Sequence, residues 1–230
     1  MDFEQKVEEL SNLAQVISYK KVKISYSHKN LIFLSTVVLL SAALEEYFRC
    51  FVDDLFYRFK VGSAPMTALH PNTRTYAILS RQQEAYRTFL FKNMGEIEIM
   101  NRLSISRKVL YEILDDNAEY TNHITAKEIV QGKKYPNTRN IKILYNRLGI
   151  SDIFAVINKK GHKDYRTLID SFLDIRTTIS HASPMSLTIL DVRRCLSDIN
   201  DVVNRLDREM YSHCCKYSGI QSWPQNGSRM

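Results

Sequence analysis

The chain has 230 residues, of which 44% are hydrophobic, so it can bury the core of one large domain and is too apolar for wholesale disorder. It contains only 7 glycines and 5 prolines. Because sheet proteins need many tight turns, this scarcity favours long helices joined by few loops. The formal net charge of +7 suits a polyanionic partner such as a nucleic acid, and equally suits a surface that is merely basic.

The four cysteines predict thiols in a reducing cytosol, because they form no CxxC pair that would suggest a disulfide framework or a zinc ribbon. A zinc site built from His213, Cys214 and Cys215 is disfavoured, since successive residues of a helix point about 100° apart. The first ten residues lack the basic and apolar regions of a signal peptide. The apolar run 31–44 is shorter than the roughly 20 residues of a membrane span. We therefore expect a cytoplasmic protein that does not enter a membrane.

Apolar residues recur at steps of three and four and predict long helices in chain order. These predicted helices cover residues 2–26, 31–59, 137–148, 163–180 and 187–215. The second is apolar nearly all round at its start, which is typical of the central helix of a bundle. Thr188 and Asp191 have the spacing of a capping box at the start of the last helix.

The middle of the chain, residues 61–136, is less regular and reads as an insertion with short helices near 81–92, 104–114 and 125–131. We expect a single helical domain over 1–218 that includes this insertion, followed by a flexible tail at 219–230. No segment alternates with period two for long enough to predict a strand. The fold class is therefore all-α.

The most informative segment is IDSFLDIRTTISHASP at 169–184, in which a helix delivers Arg176 and then His181 just before a proline break. A histidine can take and return protons near neutral pH. An arginine offers a fixed fork of donors to a phosphate and to the charge that develops on it. RNA carries its own nucleophile, the ribose 2′-hydroxyl, so a pair of this kind could cleave it with no metal or other cofactor.

The spacing of this pair is a weak signal by itself, and a second match, Arg208 to His213, is treated as a coincidence near the end of the last helix. On a continuous helix, residues five apart are rotated by about 140°, and residues four apart by about 40°. Thr177 therefore lies beside His181. Arg176 needs its long side chain, a distorted helix end or a second subunit to reach the same point.

Three stretches carry a family resemblance: SAALEEYF at 41–48, NTRNIKILYNRLGI at 137–150 and LDIRTTISHA at 173–182. Together they resemble the HEPN superfamily, whose signature is an arginine, four to six residues and then a histidine. Within it they look most like the MAE_28990/MAE_18760 and RiboL-PSP groups of prokaryotic nucleases. The resemblance implies a HEPN-like helical bundle with a long central helix and an inserted region of short helices.

The resemblance also implies a homodimer with a composite active site that cleaves RNA without a metal, in a toxin–antitoxin or anti-phage system that includes an antitoxin or defence partner. Arg176 would hold the scissile phosphate, His181 would assist the 2′-hydroxyl or the leaving oxygen, and the product would be a 2′,3′-cyclic phosphate. The family often has Asn after the arginine, where this chain has Thr177. Ser180 is a further supporting candidate.

Several alternatives stay open at this stage. Glu45 and Glu46 either orient a basic group of the site or are ordinary solvated charges at the end of an apolar run. Arg176 and His181 would have a structural role if they only complement the helix C-terminus. The bundle would then be a catalytically silent module that binds RNA, a nucleotide or a protein. A DNA-binding regulator is disfavoured, because no compact helix-turn-helix with a base-reading helix is evident.

Overall fold

A computed structural model of the chain describes residues 3–19, 23–92, 95–120, 123–181 and 186–218. The elements in these ranges are α1 (Phe3–Ser18), α2 (Tyr26–Val61), a 3-10 turn (Met66–Ala68), α3 (Pro71–Lys92), α4 (Glu96–Leu114), α5 (Ala126–Val130), α6 (Thr138–Arg147), α7 (Ile153–Gly161), α8 (Tyr165–Ser180) and α9 (Ile189–Ser218). The only pairing of extended backbone within them is one isolated bridge between Pro65 and Glu119. The all-α fold class is confirmed.

Several helix limits differ from the sequence-based expectations. α2 begins at Tyr26 instead of residue 31, and α3 and α4 are longer than the short helices expected in the middle of the chain. α7 was not predicted at all. It begins after Asp152, whose carboxylate accepts a hydrogen bond from the N–H of Ala155 at 3.3 Å. The proline break at Pro184 and the tail 219–230 lie outside the described residues.

The chain divides into two compact units. Unit 1 consists of Met1–Cys50, Lys133–Lys142 and Asp152–Glu209, and unit 2 consists of Phe51–Gly132, Ile143–Ser151 and Met210–Met230. The helices α2, α6 and α9 each contribute residues to both units. Whether residues 61–136 form an insertion within a single domain stays a prediction.

Unit 1 contains the first half of α2, the whole of α8 and most of α9. In each of these segments one side is buried, because it carries apolar residues at helical spacing. The buried set is Phe33, Val37, Leu40, Leu44 and Phe48 from α2, Tyr165, Ile169 and Phe172 from α8, and Val192, Leu196, Ile199, Val202 and Val203 from α9. A hydrogen bond of 2.8 Å from Thr138 to Asp170 joins the start of α6 to α8.

α2 is long and apolar enough to cross a membrane by length and composition alone, with a mean hydropathy of 1.7 in its most apolar window. This observation is weak, because the core helix of a globular protein meets the same criterion. In unit 1 the side chains of Leu40, Leu44 and Phe48 are fully buried among protein atoms. Their burial fits the role of a core helix.

Two neutral histidines cap helix ends in unit 2. Nδ1 of His70 accepts a hydrogen bond of 3.1 Å from the N–H of Asn72 in the first turn of α3. Nε2 of His213 donates to the carbonyl of Leu148, just after α6, at 3.1 Å. The two ring centroids are 5.5 Å apart. Burial lowers the pKa of both histidines, and the charge of His70 further lowers the pKa of His213.

Gly149 allows this packing for two reasons. Its φ of 103° lies in the left-handed region that other residues rarely adopt. A Cβ atom at this position would also overlap the ring of His70. The glycine therefore ends α6 and leaves room for the His70 ring at the start of α3.

The two histidines, His70 and His213, predict that the free energy of unfolding falls in acid. Because the folded-state pKa values lie below those of the unfolded chain, the unfolded chain binds more protons once the pH falls through about 6.5. This contribution to the free energy of unfolding is complete above that pH and is lost progressively below it. In His70→Asn, the amide oxygen replaces the ring as helix cap and does not titrate. We expect His70→Asn to have a free energy of unfolding close to that of the wild type at pH 7.5. Between pH 7.5 and pH 5.5 it should lose less of this free energy than the wild type does, as measured by urea unfolding.

The matched control for this experiment is His162→Asn, which replaces an exposed histidine whose φ of 53° an asparagine tolerates.

Asp207 has the opposite effect on the pH dependence of stability. Burial raises the pKa of this carboxyl to about 6, although a 2.5 Å hydrogen bond from Tyr47 acts to lower it. The contribution of Asp207 to the free energy of unfolding therefore grows as the pH falls through 6. Comparing variants at equal pH cancels this effect. An acid loss in His70→Asn equal to that of wild type would contradict the prediction.

Candidate functional site

The first half of α8 carries a buried row of Tyr165, Ile169 and Phe172, whereas the polar residues at its C-terminal end are exposed. The helix begins after Asp164, whose carboxylate accepts hydrogen bonds from the N–H and the hydroxyl of Thr167 at 3.2 and 2.7 Å. These bonds lower the pKa of Asp164. Arg176 follows Ile169 by seven residues and Phe172 by four, so it continues their row along the helix, but its side chain is exposed, as are those of Thr177 and His181.

The backbone at the end of α8 is satisfied within the helix itself. The hydroxyl of Ser180 donates to the carbonyl of Arg176 at 3.0 Å, and the N–H of His181 donates to the carbonyl of Thr177 at 3.1 Å. The side chains of Arg176, Thr177 and His181 are exposed, and within the described ranges none of them forms a hydrogen bond or ion pair. All three remain available to a ligand.

The α-helical hydrogen bond pattern continues to His181, which occupies the C-cap with φ −91° and ψ 18°. Residues five apart on such a helix are rotated by about 140°. Thr177 and His181 are therefore neighbours on one side, and Arg176 points elsewhere. A distorted helix end that would turn Arg176 towards His181 is not observed up to residue 181.

The start of α9 confirms the predicted capping box. The N–H and hydroxyl of Thr188 donate to the carboxylate of Asp191 at 2.8 and 2.7 Å, and the N–H of Asp191 donates back to the Thr188 hydroxyl at 3.3 Å. The hydrogen bonds from Thr188 lower the pKa of Asp191. This box fixes where α9 begins, eight residues after His181.

The first turn of α2 holds the segment that leads into α9. The side-chain oxygen of Asn30 accepts a hydrogen bond of 2.9 Å from the N–H of Leu187. The hydroxyl of Tyr26 is hydrogen-bonded to the hydroxyl of Ser186. The sequence pattern predicts neither anchor, because the apolar run that marks this helix begins at residue 31. A signal was present in Ser25, whose hydroxyl accepts from the N–H of His28 at 3.3 Å and caps the helix.

Glu45 and Glu46 are paired along their own helix. Both contact the guanidinium of Arg49, at 2.5 and 3.6 Å, and the thiol of Cys50 donates to Glu46 at 3.4 Å. No hydrogen bond or ion pair in the described part of unit 1 joins either carboxylate to Arg176 or His181. Their supporting role therefore stays a prediction.

The histidine of the second Arg-to-His match, His213, has a structural role in unit 2. The ring of His213 donates to Leu148 and packs beside the rings of His70 and Tyr217, with a centroid distance of 4.7 Å to Tyr217. Among the described residues, no group of three His, Cys, Asp or Glu side chains could hold a metal ion. Burial also raises the pKa of the neighbouring Cys214 thiol to about 12, so a thiolate ligand is disfavoured there.

The hydrogen bond of Asn30 predicts a local loss of stability on substitution. Leu187 is 4% exposed, so removal of the acceptor leaves a shielded N–H unpaired. We expect Asn30→Ala to lower the free energy of unfolding by about 1–3 kcal/mol and to speed hydrogen exchange at the Leu187 amide. Asn30→Asp keeps an acceptor and serves as the control. Unchanged exchange at Leu187 in Asn30→Ala would contradict the predicted role.

Comparison with known proteins gives one match. A family described as RiboL-PSP-HEPN matches residues 2–212, which is most of the chain and includes the whole of α8 and the start of α9. No curated protein and no solved structure matches the chain.

Proposed function

Because the chain belongs to the RiboL-PSP-HEPN family, we propose that it is an endoribonuclease that cleaves RNA without a metal ion. Membership of the family points to a nuclease or an RNA-related role. The finer proposal assigns catalysis to Arg176 and His181, with Thr177 and Ser180 in support. It depends on one observation: the side chains of Arg176, Thr177 and His181 at the end of α8 are exposed and form no hydrogen bond or ion pair with any described residue.

A purely structural role for Arg176 is less well supported than a functional one. Structural arginines in this protein are engaged: Arg147 lies 3.9 Å from the ring centroid of Tyr76 and donates to a backbone carbonyl, and Arg81 pairs with Glu128 at 2.9 Å. Within the described residues, the guanidinium of Arg176 donates to no carbonyl at the end of α8. An arginine with no partner among the residues that the structure describes is suited to an anionic ligand.

The proposed reaction requires proton transfer and stabilisation of charge. The ribose 2′-oxygen attacks the adjacent phosphorus and gives up its proton to a histidine, while the bond from phosphorus to the 5′-oxygen breaks and that oxygen receives a proton. The products are a 2′,3′-cyclic phosphate and a 5′-hydroxyl. The guanidinium of Arg176 binds the phosphate oxygens, on which negative charge increases during the attack.

A second copy of the chain would complete the site. Arg176 and His181 of one copy diverge by about 140° on α8, so a two-fold axis offers a simple way to bring both kinds of side chain to one phosphate. α2 carries an exposed apolar face of Leu31, Val38 and Leu39, which are 60%, 40% and 46% exposed. A face of this kind supports association with another chain, and we propose a homodimer.

We further propose that the protein acts in the cytoplasm as part of a toxin–antitoxin or anti-phage system. An RNA-cleaving enzyme with a basic surface would attack the RNA of its own cell, so a partner protein such as an antitoxin would have to restrain it.

One observation favours a second candidate function. Thr177 replaces the amide that commonly follows the arginine, and this substitution would suit a silent module that binds RNA or a protein.

The catalytic assignment predicts a loss of RNA cleavage in single variants. We expect the purified protein to cut RNA in EDTA and to leave 2′,3′-cyclic phosphate ends, mapped by sequencing RNA ends. Arg176→Ala and His181→Ala should each lower the rate by about 10²–10⁴-fold, because each removes charge stabilisation or proton transfer. Circular dichroism should be unchanged, since both side chains are exposed.

Arg166→Ala is the matched control, because Arg166 is also exposed on α8 and carries the same charge. It should keep most of the activity. Cleavage that persists in His181→Ala would contradict the site assignment. Absence of cleavage in the wild type, together with retained RNA binding, would favour the silent module.

The composite site predicts complementation between inactive variants. In a mixed dimer of Arg176→Ala and His181→Ala, one of the two sites contains an intact Arg176 from one copy and an intact His181 from the other. After the two proteins are mixed and allowed to exchange subunits, we expect about a quarter of the wild-type rate to return. If each chain forms its own site, the mixture should stay inactive.

A further inference from the structure

We propose that Tyr26 stacks on an unpaired base of the RNA that flanks the scissile phosphate, an inference that rests on the proposed nuclease function. The subsite would take single-stranded RNA. A base inside a duplex is covered on both faces by its neighbours, so only an unpaired base can lie on an aromatic ring.

The ring of Tyr26 is unusually accessible for an aromatic side chain. It is 73% exposed, more than Tyr57 at 66% or Tyr111 at 61%. Its hydroxyl is bonded to Ser186, so the polar end is held while the ring faces solvent. An aromatic ring that is already held in place loses little conformational freedom when a base stacks on it.

The position of Tyr26 connects it to the proposed catalytic residues. Ser186 follows His181 by five residues, which span at most about 18 Å when fully extended. Leu187, the next residue, is bonded to Asn30 one turn further along α2. The ring of Tyr26 therefore lies within a few nucleotides of a phosphate bound at His181.

The charge along the start of α2 suits a nucleic acid, and the nearby carboxylate of Asp191 is engaged by the N–H and hydroxyl of Thr188. Lys23 is exposed and Lys29 is half-buried, and no Asp or Glu occurs from residue 23 to residue 44. A phosphate next to the stacked base would therefore meet positive charge, and no nearby acidic residue in this stretch would repel it.

Tyr26 is separate from the apolar face that we assign to the dimer. On α2 its direction differs from those of Leu31, Val38 and Leu39 by about 120–140°. Formation of the dimer through those residues would leave the ring of Tyr26 accessible. We therefore favour RNA over a protein partner at this position.

The test measures RNA binding in the His181→Ala background, which should bind without cutting. A fluorescently labelled single-stranded RNA and a duplex of the same sequence are titrated, and anisotropy gives each Kd. We expect Tyr26→Ala to weaken binding of the single strand about tenfold with little effect on the duplex, because one stacked base is lost. Tyr26→Phe keeps the ring and should retain most of the affinity. Tyr57→Ala removes another exposed tyrosine of α2 and should change nothing.

Cleavage provides a second readout in the chain with His181 intact. There, Tyr26→Ala should raise KM more than it lowers kcat, and should shift the positions of the RNA ends. Unchanged affinity for the single strand in Tyr26→Ala, or an equal loss for both RNAs, would overturn the stacking role while leaving the nuclease in place. A change of oligomeric state would overturn it in favour of a protein contact. If the chain with Tyr26 intact neither binds nor cuts RNA, the proposed function fails together with this inference.

Discussion

Burial of the apolar side of α2 is the constraint on which both units of the protein depend. The first half of the helix contributes Leu40 and Leu44 to one core, and the second half contributes Leu55 and Phe59 to the other. A shift of the helix register by one residue would rotate its side chains by about 100°. Because both cores are closely packed, neither of them permits such a shift. The direction of its first turn is fixed in the same way, and that turn anchors the segment leading into α9.

Local sequence was sufficient where hydrogen bonds join residues close in the chain. The 3.6-residue period predicted the helices around the core, and the spacing of Thr188 and Asp191 predicted the start of α9. α7 was missed because its nine residues are too few to display a period, and its cap at Asp152 looked like a turn. The bond from Tyr26 to Ser186 joins residues 160 positions apart, and no local pattern predicts such a contact.

The family was predictable because three stretches of sequence resemble it, and the chemistry proposed for the site rests on Arg and His being suited to the cleavage of RNA. Spacing alone could not separate the two Arg-to-His matches. The structure separates them by what each histidine contacts: His213 bonds to the carbonyl of Leu148 among buried rings, whereas His181 is exposed and unbonded within the described residues. The partner that Arg176 would have in the proposed site could not be derived in this way, because in that proposal it depends on how two copies associate.

The anchors of Ser186 and Leu187 have a consequence for how this family can vary. His181 is the C-cap of α8, and five and six positions later the Ser186 hydroxyl and the Leu187 N–H are hydrogen-bonded to Tyr26 and Asn30 of α2. Lengthening or shortening the chain between these points would break the ties or displace the imidazole. Natural relatives that retain both ties should therefore keep this interval constant, even where the loops of unit 2 differ in size.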